Sequence, residues 1–178
     1  MIWESGPWRT QLIKDARWLK KFSKGKKEPS EDSLFKFEQK IFLSAYSIRK
    51  LLEAKKIPDL ISNSSIGVSL ALRLNTTIHH YNWHRIDHHF DLSNTHRESR
   101  KLGFFCNQII HSNIFIEGED TKGVMGFWVA SKRNQEKGLF FCSLIDWVAC
   151  MNLIANSVVV ESHYNRDSDT GEERFILK

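Results

Sequence analysis

The amino-acid sequence predicts a mainly α fold, a helical bundle that carries a small β-hairpin and has one candidate for a further strand. Two long stretches, residues 31–56 and 97–116, place apolar side chains at helical spacing. Short apolar runs at residues 124–130 and 139–141 flank a polar turn, which predicts the hairpin near residues 124–142. With 178 residues, of which 41% are hydrophobic, the chain is long enough to form one domain with its own core.

Residues 1–29 predict a basic N-terminal helix followed by a linker. Pro7 stands at a first helical position, and Trp8, the first residue of an apolar stripe, follows it. Lysines crowd the end of this helix and the segment after it. They suit a solvated helix end or, alternatively, an arm that contacts phosphate. The solvated end is favoured, because only Phe22 is interleaved with them as an aromatic residue.

Residues 31–56 form the most regular helical pattern of the chain. Ser30 is a suitable N-cap for this helix. The stripe consists of Leu34, Phe37, Ile41, Ala45, Ile48 and Leu52. In residues 65–74 the period changes to two, since apolar residues alternate with small or polar ones, and this predicts a strand.

Residues 97–116 predict a single helix of about five turns. One side of it carries the apolar residues Leu102, Phe105, Ile109 and Ile116. Arg100, Asn107 and His111 fall on the opposite side, between further apolar residues. Such a helix is usually buried on both sides, so the polar stripe belongs to a functional site, an internal network or a subunit interface. Because a small monomer has few ways to bury both sides, we expect a homodimer.

The C-terminal part of the chain predicts one more helix and a tail. Apolar residues recur at helical spacing up to about residue 158, beginning at Leu144. Residues 165–178 are charged and predict a flexible tail, although residues 175–177 have the composition of a short strand.

Residues 75–94 predict a long ordered loop that is rich in histidine. The histidines within 18 positions are His79, His80, His84, His88, His89 and His96. On a helix His80, His84 and His88 would share a face, but the outer two would lie ~12 Å apart, too far to share one zinc ion. We therefore favour structural or surface histidines over a metal site, and expect no metal and no cofactor. Alternatively, Trp83 and Arg85 of this loop, together with Arg97, can stack on bases and contact phosphates.

Charge and cysteine content restrict the class of protein. The net charge of +5 is mild evidence for a polyanionic partner, although a soluble domain with a basic segment explains it more simply. Cys106, Cys142 and Cys150 lie in apolar surroundings without a paired spacing, which predicts free buried thiols in a reducing compartment. Neither a signal peptide nor an apolar run of ~20 residues is present in the sequence, so we expect a cytoplasmic protein without a membrane span.

The segment CNQIIHS, residues 106–112, preceded by the long helix of residues 31–56, resembles the higher-eukaryote-and-prokaryote nucleotide-binding (HEPN) domain superfamily. The resemblance implies an all-helical, commonly dimeric domain, in many members a metal-independent ribonuclease of toxin–antitoxin or defence systems. It assigns the motif's polar residue to Asn107 and its histidine to His111. The motif's arginine is replaced by Cys106, which cannot supply a guanidinium charge, although Arg100 is a possible substitute.

Three functions follow as hypotheses from these patterns. The first is a non-catalytic or weakly active RNA-associated protein of the defence type, with the Asn107 and His111 stripe at a dimer interface. The second is a metal-independent ribonuclease that uses His111, Asn107 and Arg100. The third is a metal-binding protein that uses the loop between His79 and His96. The missing arginine favours the first hypothesis over the second, and the histidine spacing disfavours the third.

Overall fold

A computed structural model of the chain describes residues 2–24, 29–120, 123–168 and 170–178. Part of the predicted N-terminal linker, residues 25–28, lies outside this set. The helices are α1 (Gly6–Phe22), α2 (Glu31–Glu53), α3 (Asp59–Ser62), α4 (Ile86–His89), α5 (Leu102–Ile110) and α6 (Leu144–Asn156). The strands are β1 (Ser65–Leu72), β2 (His96–Lys101), β3 (Ser112–Asp120), β4 (Gly123–Ser131), β5 (Gly138–Ser143), β6 (Ser162–Arg166) and β7 (Glu173–Leu177).

The fold is α+β, and the prediction of a helical bundle with a small hairpin is wrong. Within the described residues, five strands form one antiparallel sheet in the order β2-β1-β5-β4-β3, and β6 pairs with β7 apart from it. The predicted hairpin exists as β4 and β5, and the predicted further strand exists as β1. Both lie inside a larger sheet, because β2 and β3 extend it on either side.

The larger sheet arises from the segment that was predicted as one central helix. Residues 97–116 instead form the end of β2, the short helix α5 and the start of β3. Lys101, the last residue of β2, has extended backbone angles, φ −52° and ψ 135°, so the helix α5 begins only at Leu102. The apolar run of residues 114–116 fits either a helix or a strand by composition, and pairing with β4 decides for the strand. The helical stripe therefore holds only between Leu102 and Ile110.

Helices cover one face of the sheet in two layers. α5 and α6 lie directly against the strands, while α1 packs on α6 and α2 packs on α5. Trp147 of α6 is fully buried between the layers, and its indole Nε1 donates to Ser44 Oγ of α2 at 3.0 Å. Phe105 of α5 and Phe127 of β4 pack around the same indole with ring centroids 6.0 Å from it. This aromatic centre joins both helical layers to the sheet.

The histidine-rich loop covers part of the opposite face. Ile86 and Phe90 are buried with Ala71, Ala130 and Leu139 of the sheet in a second apolar cluster. The loop is thus a structural cover as well as a connection.

His89 fixes the loop from within. It is 3% exposed, and its Nε2 donates to the Asn82 carbonyl oxygen at 3.0 Å while Nδ1 lies 2.7 Å from Thr76 Oγ1. Since a carbonyl oxygen can only accept, Nε2 carries a proton. His89 is therefore a structural, hydrogen-bonded core residue, one of the two roles favoured for the histidines of this loop.

A buried arginine joins the first helix to the ends of two others. Arg9 of α1 is 9% exposed, and its Nη1 donates to the carbonyl oxygens of Ile154, Ala155 and Ser157 at the C-terminal end of α6. Its Nη2 donates to the Lys56 carbonyl oxygen, just after α2, at 2.6 Å. Burial lowers the pKa of the guanidinium, but an arginine stays charged in proteins. The cation therefore satisfies carbonyl groups that a helix end leaves without partners.

The chain ends in a hairpin that contacts the rest of the fold. β7 pairs with β6, so residues 175–177 form the short strand that their composition allowed. Leu177 is buried, and its backbone N–H donates to Asp59 Oδ2 at 2.9 Å.

We predict that Arg9→Met lowers the free energy of unfolding by about 3 kcal/mol, because it leaves several buried carbonyl groups without a donor. Chemical denaturation followed by tryptophan fluorescence measures this loss. Arg17→Met, an exposed position on the same helix, is the control and should change the value by less than about 0.5 kcal/mol. Equal losses in the two variants would contradict the role assigned to Arg9.

Candidate nucleic-acid interface

An open cavity of about 640 Å³ lies at the C-terminal end of α5. Asn107 and His111, one helical turn apart, form part of its wall beside Phe104. The turn between β4 and β5 forms the opposite wall and contributes Lys132, Arg133 and Lys137 among others. His111 is exposed because α5 ends there: its backbone N–H closes the last turn onto the Asn107 carbonyl oxygen at 3.1 Å.

Two amide side chains hold this turn in place. Gln108 of α5 is 2% exposed, and its Oε1 accepts the Ser131 backbone N–H at 3.2 Å. Asn113 Nδ2 of β3 donates to Gln135 Oε1 at 2.8 Å. The turn is therefore fixed to the helix on one side and to the edge strand on the other. Its cationic residues are therefore held beside the end of α5 by the backbone of the turn.

The charges around this cavity are of one sign. Lys132, Arg133 and Lys137 are exposed, and within the described parts of the chain none of them has an ion-pair partner. No carboxylate is among the described residues that line the cavity. Glu136, the acid of the same turn, lies 3.7 Å from Arg73 Nε instead.

The carbonyl end of α5 also attracts cations, which gives a purely structural reason for some of this charge. A helix end carries only about half an elementary charge. Three side-chain cations exceed it, so a net positive field remains for an anionic ligand.

A second cavity, of about 460 Å³, lies on the other side of the same turn. Ile78, His79, His80 and Trp83 of the histidine-rich loop line it, together with Asn113, Gln135 and Lys132. Lys132 lines both cavities, so the two are neighbours across a single side chain. The structure thereby brings the histidine-rich loop and the Asn107 and His111 pair to one surface.

The other predicted site residues lie elsewhere. Arg100 is on β2, where it pairs with Glu98 and lies over the rings of Phe104 and Phe140, at 5.8 and 5.4 Å. It does not line the cavity at His111, because the segment that carries it is a strand and not the predicted helix. Arg85 is exposed just before α4 and lines neither cavity.

Arg97 lies on the opposite sheet face from α5 and lines a separate cavity of about 210 Å³. Asp146 lines that cavity too, so the charge there is mixed. Arg97 therefore does not add to the positive field around His111.

The side chains of Asn107 and His111 do not bond to each other. Of the residues that the structure describes, none forms a hydrogen bond with either side chain. The pair therefore makes none of the side-chain hydrogen bonds that a role in a buried structural network would require. Both groups are available to a ligand.

The metal hypothesis gains no geometric support. Among the described residues, no three side chains of His, Cys, Asp or Glu lie close enough to hold a metal ion, and this includes His80, His84 and His88. The described part of the chain also contains no helix that is both long and apolar enough to cross a bilayer.

Sequence reasoning missed the cations of the turn. Lys132, Arg133 and Lys137 were visible as a charged connection between two strands, but only the folded topology places them over α5. Cys106, the position that resembles the superfamily's arginine, is fully buried in the main core. A side chain at this position faces away from the cavity that Asn107 and His111 line.

Comparison of the chain with protein-family models, with characterised proteins and with solved structures finds no match. The resemblance to the HEPN superfamily is therefore untested, although the all-helical fold that it implies is not the fold of this chain. Fold and site together define an α+β protein with a basic cleft at the end of a short helix, and the described residues that line this cleft include no carboxylate.

We predict that the thiols react only in the unfolded protein. Cys106 and Cys142 are buried and Cys150 is partly buried; burial raises the pKa of Cys106 and Cys142 well above the usual range, and that of Cys150 to about 12. Few thiolates therefore exist at about pH 8, where an unperturbed thiol is partly ionised. Colorimetric titration with a disulfide reagent should detect no fast thiol in buffer and three in denaturant. A fast-reacting thiol in the folded protein would contradict this.

Proposed function

We propose that the protein binds RNA at the cleft between α5 and the turn joining β4 to β5. The observation that carries the proposal is the cavity that combines Asn107 and His111 with Lys132, Arg133 and Lys137 and has no carboxylate on its described wall. Phosphate groups are attracted to such clusters of Lys and Arg, which release counterions when they bind. His and Asn side chains add hydrogen bonds to phosphate, sugar or base.

RNA is proposed rather than another polyanion because of the motif in residues 106–112. The resemblance to the HEPN superfamily points to RNA and to roles in toxin–antitoxin or defence systems, and the basic cleft at that motif is compatible with it. The proposal does not depend on a dimer. The predicted homodimer rested on a helix that is apolar on two sides, and residues 97–116 do not form one. Self-association remains a separate prediction, and in the single chain Asn107 and His111 line an open cavity.

The second candidate function is metal-independent RNA cleavage. Its support is the exposure of His111 in the cavity, because an accessible imidazole can take the proton of a ribose 2′-hydroxyl near neutral pH. The hydroxyl oxygen would attack phosphorus, the bond to the 5′-oxygen would break, and a cyclic phosphate would result. The lysines can stabilise the charge of the transition state.

Cleavage by this route also needs a proton donor for the leaving oxygen. Among the described residues that line the cavity, His111 is the one imidazole, and there is no carboxylic acid. A lysine would have to serve as the acid. Binding is therefore the function that the geometry supports best.

We predict that the combined substitution Lys132→Ala, Arg133→Ala and Lys137→Ala weakens RNA binding by at least about tenfold at low salt. Each phosphate contact contributes about −0.7 to the slope of log K against log salt for a single strand, so the variant should flatten the slope by about 2. Fluorescence anisotropy with a labelled RNA over a series of KCl concentrations measures both effects.

The matched control is Lys14→Ala, Lys20→Ala and Lys21→Ala, which removes three exposed cations from α1. It changes the net charge equally but leaves the cleft intact. If the control loses as much affinity as the cleft variant, binding follows overall charge and the proposed site is wrong.

We predict that His111→Ala changes the melting temperature little, because the side chain is exposed and has no partner in the described structure. If the protein is a ribonuclease, the same variant loses cleavage of RNA in the presence of a metal chelator. Gel analysis of a labelled RNA measures cleavage by the variant and by wild-type protein that was purified in the same way. The absence of His111-dependent cleavage would remove the second candidate and leave RNA binding intact.

A further inference from the structure

The second cavity has a different chemical character from the first. Its wall is aromatic and imidazole-rich on the loop side, from Trp83, His79 and His80, and Ile78 adds apolar surface. On the sheet side it is formed by two amides, Asn113 and Gln135. Flat rings opposite amide groups suit a planar ligand that carries hydrogen-bonding groups at its edge.

Each of the two amides uses only one of its two hydrogen-bonding groups within the described structure. Asn113 Nδ2 donates to Gln135 Oε1 at 2.8 Å, which leaves Asn113 Oδ1 and Gln135 Nε2 without a partner among the residues described. Gln135 is only 8% exposed, but its unpartnered Nε2 is not fully buried and is therefore accessible at the cavity wall. If both amides are turned over, the pair still leaves one donor and one acceptor. The free hydrogen-bonding capacity therefore does not depend on how the amides are assigned.

We propose that this second cavity is a subsite for one unpaired nucleobase, next to a phosphate held by Lys132. This inference rests on the proposed RNA binding in the first cavity and extends it to a substrate class, single-stranded RNA. Rings of the loop stack on the base, and the amide pair bonds to its Watson–Crick edge, which offers both a donor and an acceptor. In a duplex that edge is already paired, so the subsite excludes double-stranded RNA.

The position of Lys132 explains why a base and a phosphate of the same nucleotide bind side by side. It lines both cavities, so a phosphate at Lys132 has the first cavity on one side and the aromatic cavity on the other. A nucleotide bound there extends its phosphate chain toward Lys137 and Arg133 and its base toward Trp83. The subsite therefore adds affinity only for a ligand that has both parts.

The test compares three probes on the wild-type protein by fluorescence anisotropy. They are a short single-stranded RNA of mixed sequence, an oligomer of equal length without bases, and the same RNA annealed to its complement. We expect the single strand to bind on the order of tenfold more tightly than either of the others, as expected for stacking and pairing of one base. Equal affinity for the single strand and the base-free oligomer would overturn the subsite, as would equal affinity for the duplex.

A variant pair locates the effect. The combined substitution His79→Ala and His80→Ala removes two exposed rings of the subsite and keeps the Asn113–Gln135 bond that holds the turn, so it should reduce single-strand affinity to that of the base-free oligomer. Affinity for the base-free oligomer itself should stay unchanged. His88→Ala, an exposed histidine of the same loop that does not line the cavity, is the control. Unchanged single-strand affinity in the double variant would overturn the assignment of the base to this cavity.

The experiment distinguishes failure of the RNA-binding proposal from failure of the base subsite alone. If the wild-type protein binds none of the probes, the proposed RNA binding fails and the subsite fails with it. If it binds all three probes equally and the combined substitution Arg133→Ala and Lys137→Ala, which affects the first cavity only, weakens binding of all three, RNA binding stands and the base subsite alone is wrong. Because the first comparison uses only unmodified protein, folding defects of a variant cannot decide it.

Discussion

The central constraint on this fold is that its five-stranded sheet is apolar on both faces. Ile66, Val68 and Leu70 of β1 point to the helices, while Ala71 belongs to the cluster on the other side. A sheet with only one cover would expose the second cluster to water. The helices supply one cover and residues 73–95 supply the other, so the long loop is required by the sheet. Most of this loop is exposed or half-buried, and the buried His89 holds it together through the Asn82 carbonyl oxygen and Thr76 Oγ1.

The candidate site lies where the two covers meet. The turn between β4 and β5 leaves the sheet at this border, with α5 on one side and the histidine-rich loop on the other. Neither cover extends over the turn, so cavities remain on both sides of it. The turn cannot be apolar, since it would then add an exposed patch, and Gln108 and Asn113 hold it by hydrogen bonds instead. The backbone of the turn is thus held in place, while its lysine and arginine side chains remain exposed to solvent.

Sequence reasoning succeeded where local pattern decides the structure. The helix predicted from Ser30 onward is α2, with Ser30 accepting the Ser33 N–H at its start, and the alternation in residues 65–72 is β1. It failed in residues 97–116, because strand pairing with β1 and β4 outweighs a helical period that is only locally consistent. The site was half predicted for the same reason. Asn107, His111 and Trp83 are conspicuous residues, whereas the turn cations become relevant only through long-range packing.

The short length of α5 also decides between the roles that the motif could have. In a long buried helix, Asn107 and His111 would need partners within the protein, and their removal would cost stability. In the observed fold the helix ends at His111, so both side chains project into the cavity, while Cys106, about 100° around the helix from Asn107, faces the core. In the proposed RNA-binding role, the cations of the neighbouring turn supply the charge that Cys106 cannot supply. Such a cleft suits the proposed binding of a phosphate chain, and the described residues of its wall include one imidazole for proton transfer, so recognition of RNA is the role that we favour.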